Sequence, residues 1–325
     1  MTNTKMTQTT SKTTRIVFMG TPEFATAQLQ ALVDGGYNVV AVVTAPDKPA
    51  GRGMQLQQSS VKQYAESKGI TVLQPVKLRD EDFLASLKNL QADLFIVVAF
   101  RMLPQAVWSM PRLGTFNLHA SLLPAYRGAA PINWAIINGE TETGVTTFFI
   151  NEEIDAGEIL LQERVPILPT DNAETLHDKL KMAGCDLVLK TVDGIVSGSI
   201  TGVSQVKLYN VNKHSAAPKL FRDNTRLDWR KSARELVNFV RGLSPYPAAW
   251  CELLIDGKPL PVKVFAARAE EDEGGRVGEV LTNGSTFLKI SCAGGYLCVD
   301  ELQPAGKKRM KIADFLRGVR GSISI

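Results

Sequence analysis

Three short apolar runs in the first hundred residues constrain the fold more strongly than any other feature of this sequence. Residues 16–19, 38–43 and 93–99 are rich in valine, isoleucine and phenylalanine and show no alternation of polar and apolar positions. Such runs are typical of strands that are buried on both faces of a parallel sheet. Segments with a helical spacing of apolar residues lie between them, so the chain from residue 15 onward predicts an α/β domain.

The turn after the first run argues against a nicotinamide cofactor. It reads Gly-Thr-Pro-Glu-Phe at residues 20–24, and its Pro22 suits the first turn of a helix. Dinucleotide-binding domains instead carry G-x-G-x-x-G there, because those glycines let the backbone approach the pyrophosphate. We therefore expect a Rossmann-like, mostly parallel sheet over residues 15–200 that binds no nicotinamide cofactor.

A long connection follows the second run. Residues 46–55 are a stretch of proline, glycine and charged residues, longer than the roughly 2–6 residues usual for a loop from strand to helix. Arg52 lies between Gly51 and Gly53, so its guanidinium can reach a phosphate or a base with little steric hindrance. A plain surface loop fits the same composition, but long loops above a rigid sheet often carry function.

An apolar loop follows the third run. It comprises Phe100, Arg101, Met102 and Leu103, and it comes after a buried strand, at the carboxyl end of the predicted sheet. In open α/β sheets ligands bind at that edge. Ordinary loop packing explains the composition equally well.

The most chemically suggestive segment is the strand predicted at residues 115–119. Asn117 and His119 are two positions apart and therefore project from the same face, while Phe116 and Leu118 point the other way. An amide donor beside an imidazole suits acyl transfer, because the two can bind the oxyanion of a tetrahedral intermediate and help to move its proton. A structural asparagine and a buried histidine are the plainer interpretation.

Asp155 offers the carboxylate that such a site would need. It precedes Ala156 and Gly157 on the turn after the next predicted strand, so it could simply be a turn-forming residue. If the turn brings it within ~4–6 Å of the imidazole, however, its charge favours the protonated ring and strengthens that ring as a hydrogen-bond donor.

The C-terminal part has a different pattern. Residues 201–217 are polar and predict a linker, and beyond residue 249 five short strand patterns are separated by glycine turns. We expect a small all-β barrel of OB type within residues 218–325.

Charge separates the same two parts. Residues 1–205 carry 17 Lys and Arg against 20 Asp and Glu, a net charge of −3, and the remaining residues carry 20 against 13, a net charge of +7. The basic run of Lys307, Lys308 and Arg309 adds to the second part. A basic domain behind an acidic one indicates contact with a polyanion such as a nucleic-acid backbone.

Composition limits the remaining classes. No apolar run approaches the ~20 residues needed to cross a bilayer, and residues 1–14 are Thr-rich and polar, so we expect a disordered tail rather than a signal sequence. The four cysteines form no C-x-x-C pair, which favours reduced core residues and a cytoplasmic location. No cluster of ligand residues stands out in the sequence, so no metal is expected.

The motifs, taken in order, resemble a known family. Asn117-x-His119 followed by Ser-Leu-Leu-Pro at residues 121–124, with Asp155 downstream, is similar to the active-site pattern of the 10-formyltetrahydrofolate-dependent formyltransferases. Four further segments are similar to the members of that family that act on methionyl-tRNA, namely residues 46–53, 126–131, 244–250 and 302–308. One departure is Ala120, where the family often has glycine.

The resemblance implies transfer of the formyl group of 10-formyltetrahydrofolate to the amino group of methionine on initiator tRNA. It implies that Asn117, His119 and Asp155 are the catalytic residues. It also implies that the folate co-substrate contacts four consecutive residues, Ser121, Leu122, Leu123 and Pro124. We expect the loop at residues 100–103 to line the same crevice.

The same resemblance assigns tRNA recognition to two regions. One is the loop at residues 46–55, where contacts are expected from Lys48, Gly51, Arg52 and Gly53. The other is the basic C-terminal domain, where they are expected from Lys219, Lys307, Lys308 and Arg309. No membrane contact is expected, and the chain is predicted to be a monomer.

Two alternatives fit parts of the sequence. A formyltransferase that acts on a small amine, such as a ribonucleotide or an amino sugar, would have the same catalytic domain but no need for a basic second domain. A nucleic-acid-binding protein without catalysis would keep the basic domain but would not need Asn117, His119 and Asp155 together.

Overall fold

The computed structural model describes residues 10–50, 55–208, 215–272 and 275–325. Contacts divide the chain into two compact units. The first unit lies within Met1–Arg127, Gly144–Val165 and Asp178–Ala216. The second lies within Gly128–Thr143, Pro166–His177 and Ala217–Ile325.

Strands and helices alternate through the first part of the chain. The elements up to residue 197 are α1 (Thr10–Thr13), β1 (Ile16–Gly20), α2 (Glu23–Asp34), β2 (Val39–Val43), β3 (Lys48–Ala50), β4 (Gln55–Gln57), α3 (Ser60–Ser67), β5 (Thr71–Leu73), α4 (Glu81–Asn89), β6 (Leu94–Val98), α5 (Gln105–Trp108), β7 (Thr115–His119), α6 (Pro131–Ile137), β8 (Glu142–Phe149), β9 (Ile159–Pro166) and α7 (Ala173–Ser197).

Short strands dominate the rest. These elements are two 3₁₀ turns (Gln205–Lys207 and Asp223–Thr225), α8 (Ala233–Leu243), β10 (Ala249–Ile255), β11 (Lys258–Glu271), β12 (Val280–Thr282), β13 (Leu288–Cys292), β14 (Gly295–Pro304), β15 (Met310–Lys311), α9 (Ile312–Gly318) and β16 (Ile323–Ser324).

A mostly parallel sheet organises the first part, in the strand order β5-β2-β1-β6-β7-β8-β9. Neighbouring strands from β5 to β7 run parallel, and β8 pairs with β7 in the antiparallel direction. Every residue of β1 and β6 is buried, which explains why neither run alternates in sequence. The predicted Rossmann-like sheet is confirmed.

This sheet determines where the side chains of β7 point. Phe116 and Leu118 are buried, and Asn117 and His119 leave from the opposite face. Because β6 and β7 are parallel neighbours, Val98 and His119 both lie at the carboxyl edge of the sheet. The strand thus carries the two polar side chains to the edge where open α/β sheets bind ligands.

The predicted long loop after β2 is partly a two-stranded ribbon. β3 and β4 pair in the antiparallel direction, with Lys48 opposite Gln57. Just before the ribbon, the carboxylate of Asp47 accepts hydrogen bonds from Lys62 at 2.6 Å and Gln74 at 2.7 Å, and the bond from Lys62 is the main reason why the pKa of Asp47 is lowered. The segment that contains Arg52, from residue 51 to residue 54, lies outside the described residues.

Two segments expected to be unstructured contain ordered residues. Within the predicted tail, α1 forms at Thr10–Thr13, and Lys12 Nζ donates to the Gly35 carbonyl at 2.6 Å; residues 1–9 lie outside the described residues. Within the predicted linker, Gln205 is only 1% exposed and begins a 3₁₀ turn. Residues 209–214 of that linker lie outside the described residues.

The second unit contains an antiparallel, barrel-like sheet, as predicted. Its strand order is β12-β13-β14-β11-β10-β16, and β15 pairs with β14. Helix α8 covers its apolar core through Leu236, Val240 and Leu243, all nearly inaccessible to solvent. Ser232 and Glu235 cap the start of α8 reciprocally, each side chain bonding to the backbone N–H of the other.

None of the helices that the structure describes has the length and apolar character needed to cross a membrane.

Candidate active site

His119 is held by a backbone carbonyl. Its Nε2 lies 2.8 Å from the carbonyl oxygen of Tyr126, and the contact is buried. A carbonyl oxygen can only accept a hydrogen bond, so Nε2 must carry the proton. In the neutral ring the lone pair therefore lies on Nδ1.

Nδ1 faces the carboxylate of Asp155. The distance from Nδ1 to Asp155 Oδ2 is 3.8 Å, and the side chains of His119 and Asp155 are 7% and 15% exposed. This separation is too long for a direct hydrogen bond but close enough for strong electrostatic interaction. Nδ1 is thus the ring nitrogen that is available to a substrate, and a carboxylate lies beside it.

The orientation of the Tyr126 carbonyl is determined by an unusual turn. Tyr126 has a φ of 59°, in the left-handed region that non-glycine residues seldom occupy, and its side chain is buried. Its N–H donates to the Ser215 carbonyl at 2.7 Å. The buried hydroxyl of Ser121 closes the preceding turn by donating to the Ala125 carbonyl at 2.6 Å.

The Asp155 turn connects β8 to β9. Asp155 has a φ of 52°, which aspartate tolerates better than most residues. Gly157 packs so closely against β8 that a Cβ built on it would lie 1.6 Å from the Phe149 carbonyl oxygen, so no other residue fits there. Asp155 is therefore both a turn-forming residue and the neighbour of the imidazole.

Asn117 shares the face of His119 on β7. The two positions are ~6–7 Å apart along the strand. Asn117 is half-buried, and its neighbours across the sheet are Val97 on β6 and Phe148 on β8. Its amide is suited to donate to an oxygen that also lies near His119 Nδ1.

The segment at residues 121–124 is a rigid loop beside the site. Thr146 Oγ1 donates to the Ser121 carbonyl at 2.6 Å and accepts from the Leu123 N–H at 3.1 Å. The side chain of Gln162 donates to the Leu123 carbonyl at 2.8 Å. Leu123 packs with Phe148 and Ile159, whereas Leu122 is half-buried. A ligand would therefore meet the backbone and Leu122 rather than the side chains of Ser121 and Leu123.

The loop at residues 100–103 has mixed environments. Arg101 donates to the carbonyls of Pro75 and Val76, and burial lowers the pKa of its guanidinium. Met102 is 70% exposed, whereas Leu103 packs in the core with Val107. The exposed Met102 fits a ligand-facing position better than Leu103 does.

The basic residues expected to contact tRNA lie on the surface where they are described. Lys48, Lys307 and Lys308 are exposed. Lys219 Nζ lies 5.4 Å from the centre of the Phe221 ring. Arg309 pairs with Glu301 and lies 4.6 Å from the centre of the Phe265 ring, so its charge is partly neutralised within the chain. Gly51, Arg52 and Gly53 lie outside the described residues.

Gln205 is a residue of the site that no sequence pattern indicates. Its Nε2 donates to the carbonyls of Asp155 at 3.0 Å and Gly157 at 2.7 Å, which ties the predicted linker to the Asp155 turn. Its Oε1 accepts two hydrogen bonds from Arg127, at 3.1 Å and 2.7 Å. A single glutamine in a polar stretch has no periodic pattern, so nothing in the sequence marked it.

Family models match both parts of the chain. The model described as "Formyl transferase" matches residues 14–192, and the one described as "Formyl transferase, C-terminal domain" matches residues 219–320. The first match alone spans the strands and turns that carry Asn117, His119 and Asp155.

Curated relatives match along nearly the whole chain. A protein of Phocaeicola vulgatus named methionyl-tRNA formyltransferase is 56% identical over 315 residues, which cover 96% of this chain and 97% of the relative. A protein of the same name from Parabacteroides distasonis is 55% identical over 310 residues, which cover 94% of this chain and 96% of the relative.

Among solved structures, the fold is similar to that of WlaRD, a sugar 3N-formyl transferase solved in the presence of dTDP and 5-N-formyl-THF. The TM-score is 0.63 at 20% identity, and the match covers 91% of this chain and 99% of WlaRD. At that identity the likeness concerns the fold alone. The two family models and the near full-length relatives show that this chain belongs to the formyl transferase family.

Proposed function

We propose that this enzyme transfers the formyl group of 10-formyltetrahydrofolate to the free amino group of methionine on initiator methionyl-tRNA, which gives N-formylmethionyl-tRNA for translation initiation. The observation that carries the proposal is the His119–Asp155 pair on the same edge of the sheet as Asn117. Identity of 56% to a methionyl-tRNA formyltransferase across 96% of this chain supports the choice of substrate.

The oxyanion is stabilised by two donors. The methionyl amine attacks the formyl carbon, and negative charge develops on the formyl oxygen. Nδ1–H of the protonated His119 and the amide of Asn117 donate to that oxygen. Nε2 takes no part in this step, because it is already bonded to the Tyr126 carbonyl. Donors of this kind act strongly in a site that excludes water.

Asp155 stabilises the charged imidazole and accepts a proton. Its carboxylate lies 3.8 Å from His119 Nδ1 and attracts the positive charge of the imidazolium that donates to the oxyanion. It also takes the excess proton of the attacking amine, directly or through a water molecule. As the bond from the formyl carbon to the folate nitrogen breaks, that nitrogen receives one proton, so the protons balance over the reaction.

The folate co-substrate lies against the loop at residues 121–124. The loop is held by Thr146 and Gln162, so it presents a preorganised backbone at the edge of the sheet. Phe100, Arg101 and Met102 form the neighbouring wall, in which the side chain of Met102 is 70% exposed. Family membership and a fold neighbour solved in the presence of 5-N-formyl-THF support a folate ligand.

Two groups of residues contact the tRNA. The segment after β2 recognises it through Lys48, Gly51, Arg52 and Gly53. The basic C-terminal part contacts its backbone through Lys219, Lys307, Lys308 and Arg309. The net charge of +7 on residues 206–325, calculated as 20 basic minus 13 acidic residues, supports a polyanionic partner. A monomer and a cytoplasmic location stay predictions.

A transfer assay tests the proposed function. We expect the purified enzyme to move the formyl group from 10-formyltetrahydrofolate to charged initiator tRNA much faster than to charged elongator tRNA. Amino sugars and aminoribonucleotides are included as acceptors. Transfer to a small amine, with none to either tRNA, would reject the substrate and favour the small-amine alternative. A folded protein that transfers to no acceptor would favour a non-catalytic binding protein.

The catalytic donors can be tested by truncation. Asn117→Ala or His119→Ala should lower kcat by about 10²–10³-fold, roughly 2.7–4 kcal/mol, because each removes one donor to the oxyanion. The equilibrium affinity for charged tRNA, measured by filter binding, should change little. His177→Ala is the matched control, since His177 lies on α7 outside the site and its loss should leave kcat unchanged. Wild-type turnover in both site variants would contradict the mechanism.

The ribbon after β2 can be tested through Arg52. Arg52→Ala should raise the KM for charged tRNA by about 5–150-fold, the range for losing one contact worth ~1–3 kcal/mol, and should leave the KM for the formyl donor unchanged. Arg112→Ala removes a charge of the same sign from the segment before β7, where Arg112 pairs with Asp93, and should change neither KM. The same KM for charged tRNA in the two variants would refute the assignment of Arg52 to tRNA recognition.

A further inference from the structure

Gln205 connects the two turns on which the site depends. From the segment after α7 it donates to the carbonyls of Asp155 and Gly157, which lie on the turn that presents the carboxylate. On its other side it accepts two hydrogen bonds from Arg127. Arg127 directly follows Tyr126, the residue whose carbonyl holds His119 Nε2. All of these residues belong to the first unit.

The contacts of Gln205 are directional. An amide has donors on one atom and acceptor lone pairs on the other, and here Nε2 meets carbonyls while Oε1 meets a guanidinium. The side chain is 1% exposed, so water cannot replace a lost contact without rearrangement. Leaving buried carbonyls without donors costs free energy, so the arrangement favours one position of the Asp155 turn over others.

The turn needs such a restraint. Asp155 occupies the left-handed region, which persists only where the surroundings hold the backbone in place. The Asp155 carboxylate must also stay near His119 Nδ1 while a substrate occupies the site. A donor that holds the backbone carbonyl of Asp155 itself restrains the carboxylate without occupying it.

We propose that Gln205 is a positioning residue, which through Arg127 and the carbonyls of Asp155 and Gly157 sets the separation between the Asp155 carboxylate and His119 Nδ1. It touches neither substrate nor the reacting atoms and acts through Asp155. The role rests on the proposed function, since the separation matters only if Asp155 handles the protons of formyl transfer.

Gln205→Glu is the most informative variant. The carboxylate keeps the size of the amide and the contact with Arg127. It has no N–H group, however, so both hydrogen bonds from Nε2 are lost and a carboxylate oxygen faces the two carbonyl oxygens instead. The Asp155 turn should shift, and kcat should fall by about 10²-fold, the loss typical of a ~1 Å misplacement near the reacting groups. The KM for the formyl donor should stay within about twofold, because ground-state binding is not affected.

Gln28→Glu is the matched control. Gln28 is a buried glutamine of the same unit whose Nε2 also donates to a carbonyl, that of Lys181 at 2.8 Å. Burying a carboxylate there tests the general cost to folding. We expect Gln28→Glu to lower the unfolding temperature without lowering kcat. An equal loss of kcat in both variants would mean that Gln205 has only a structural role and would overturn the proposal.

A double-mutant cycle distinguishes a positioning role from a purely structural one, because only a positioning role makes the effect of Gln205→Glu on kcat depend on Asp155. In an Asp155→Asn background, where the proton acceptor is already gone, Gln205→Glu should lower kcat by less than about twofold. A further loss as large as that in the wild-type background would refute action through Asp155. The wild-type enzyme is measured in the same formyl-transfer assay. If the wild type transfers no formyl group, the proposed function is rejected. If the wild type transfers normally and Gln205→Glu has the same kcat, only the positioning role of Gln205 is rejected.

Discussion

The hydrogen bond from His119 Nε2 to the Tyr126 carbonyl determines what this site can do. It leaves Nδ1 as the ring nitrogen that faces the carboxylate of Asp155, and β7 presents the Asn117 amide on the same face. Without that bond the ring could turn or exchange tautomers, and no fixed nitrogen would face the substrate. The β7 strand and the loop at residues 121–126 keep one imidazole in one orientation, and the Asp155 turn places a carboxylate beside it.

Holding the ring in that orientation requires two backbone conformations of high free energy. Tyr126 and Asp155 both lie in the left-handed region, at φ values of 59° and 52°. Conformations of this kind typically cost ~1–3 kcal/mol each and persist where neighbouring contacts determine them. Here the Ser215 carbonyl accepts from the Tyr126 N–H, and Gln205 holds the Asp155 carbonyl. The segment that leaves α7 therefore contributes to the site as well as joining two parts of the chain.

The sheet and the direction of its side chains could be predicted because they follow from short-range patterns. Unbroken apolar runs gave β1 and β6, and alternation on β7 placed Asn117 and His119 on one face. The contribution of Gln205 could not be predicted, because one polar residue in a polar segment has no period and acts on a turn fifty residues earlier. The ribbon of β3 and β4 was expected to be a loop. Only three residues of each strand are paired, and such short strands with proline and charged residues show no strand pattern in the sequence.

The central claim is that the Tyr126 carbonyl keeps the proton of His119 on Nε2. Nitrogen-15 NMR of protein labelled at its histidines tests it directly, since the chain has three histidines and the signals of His119 can be identified by their loss in His119→Ala. We predict that in the neutral ring Nε2 has the chemical shift of a protonated nitrogen and Nδ1 that of a bare nitrogen. A neutral ring with its proton on Nδ1 and a bare Nε2 would contradict the account.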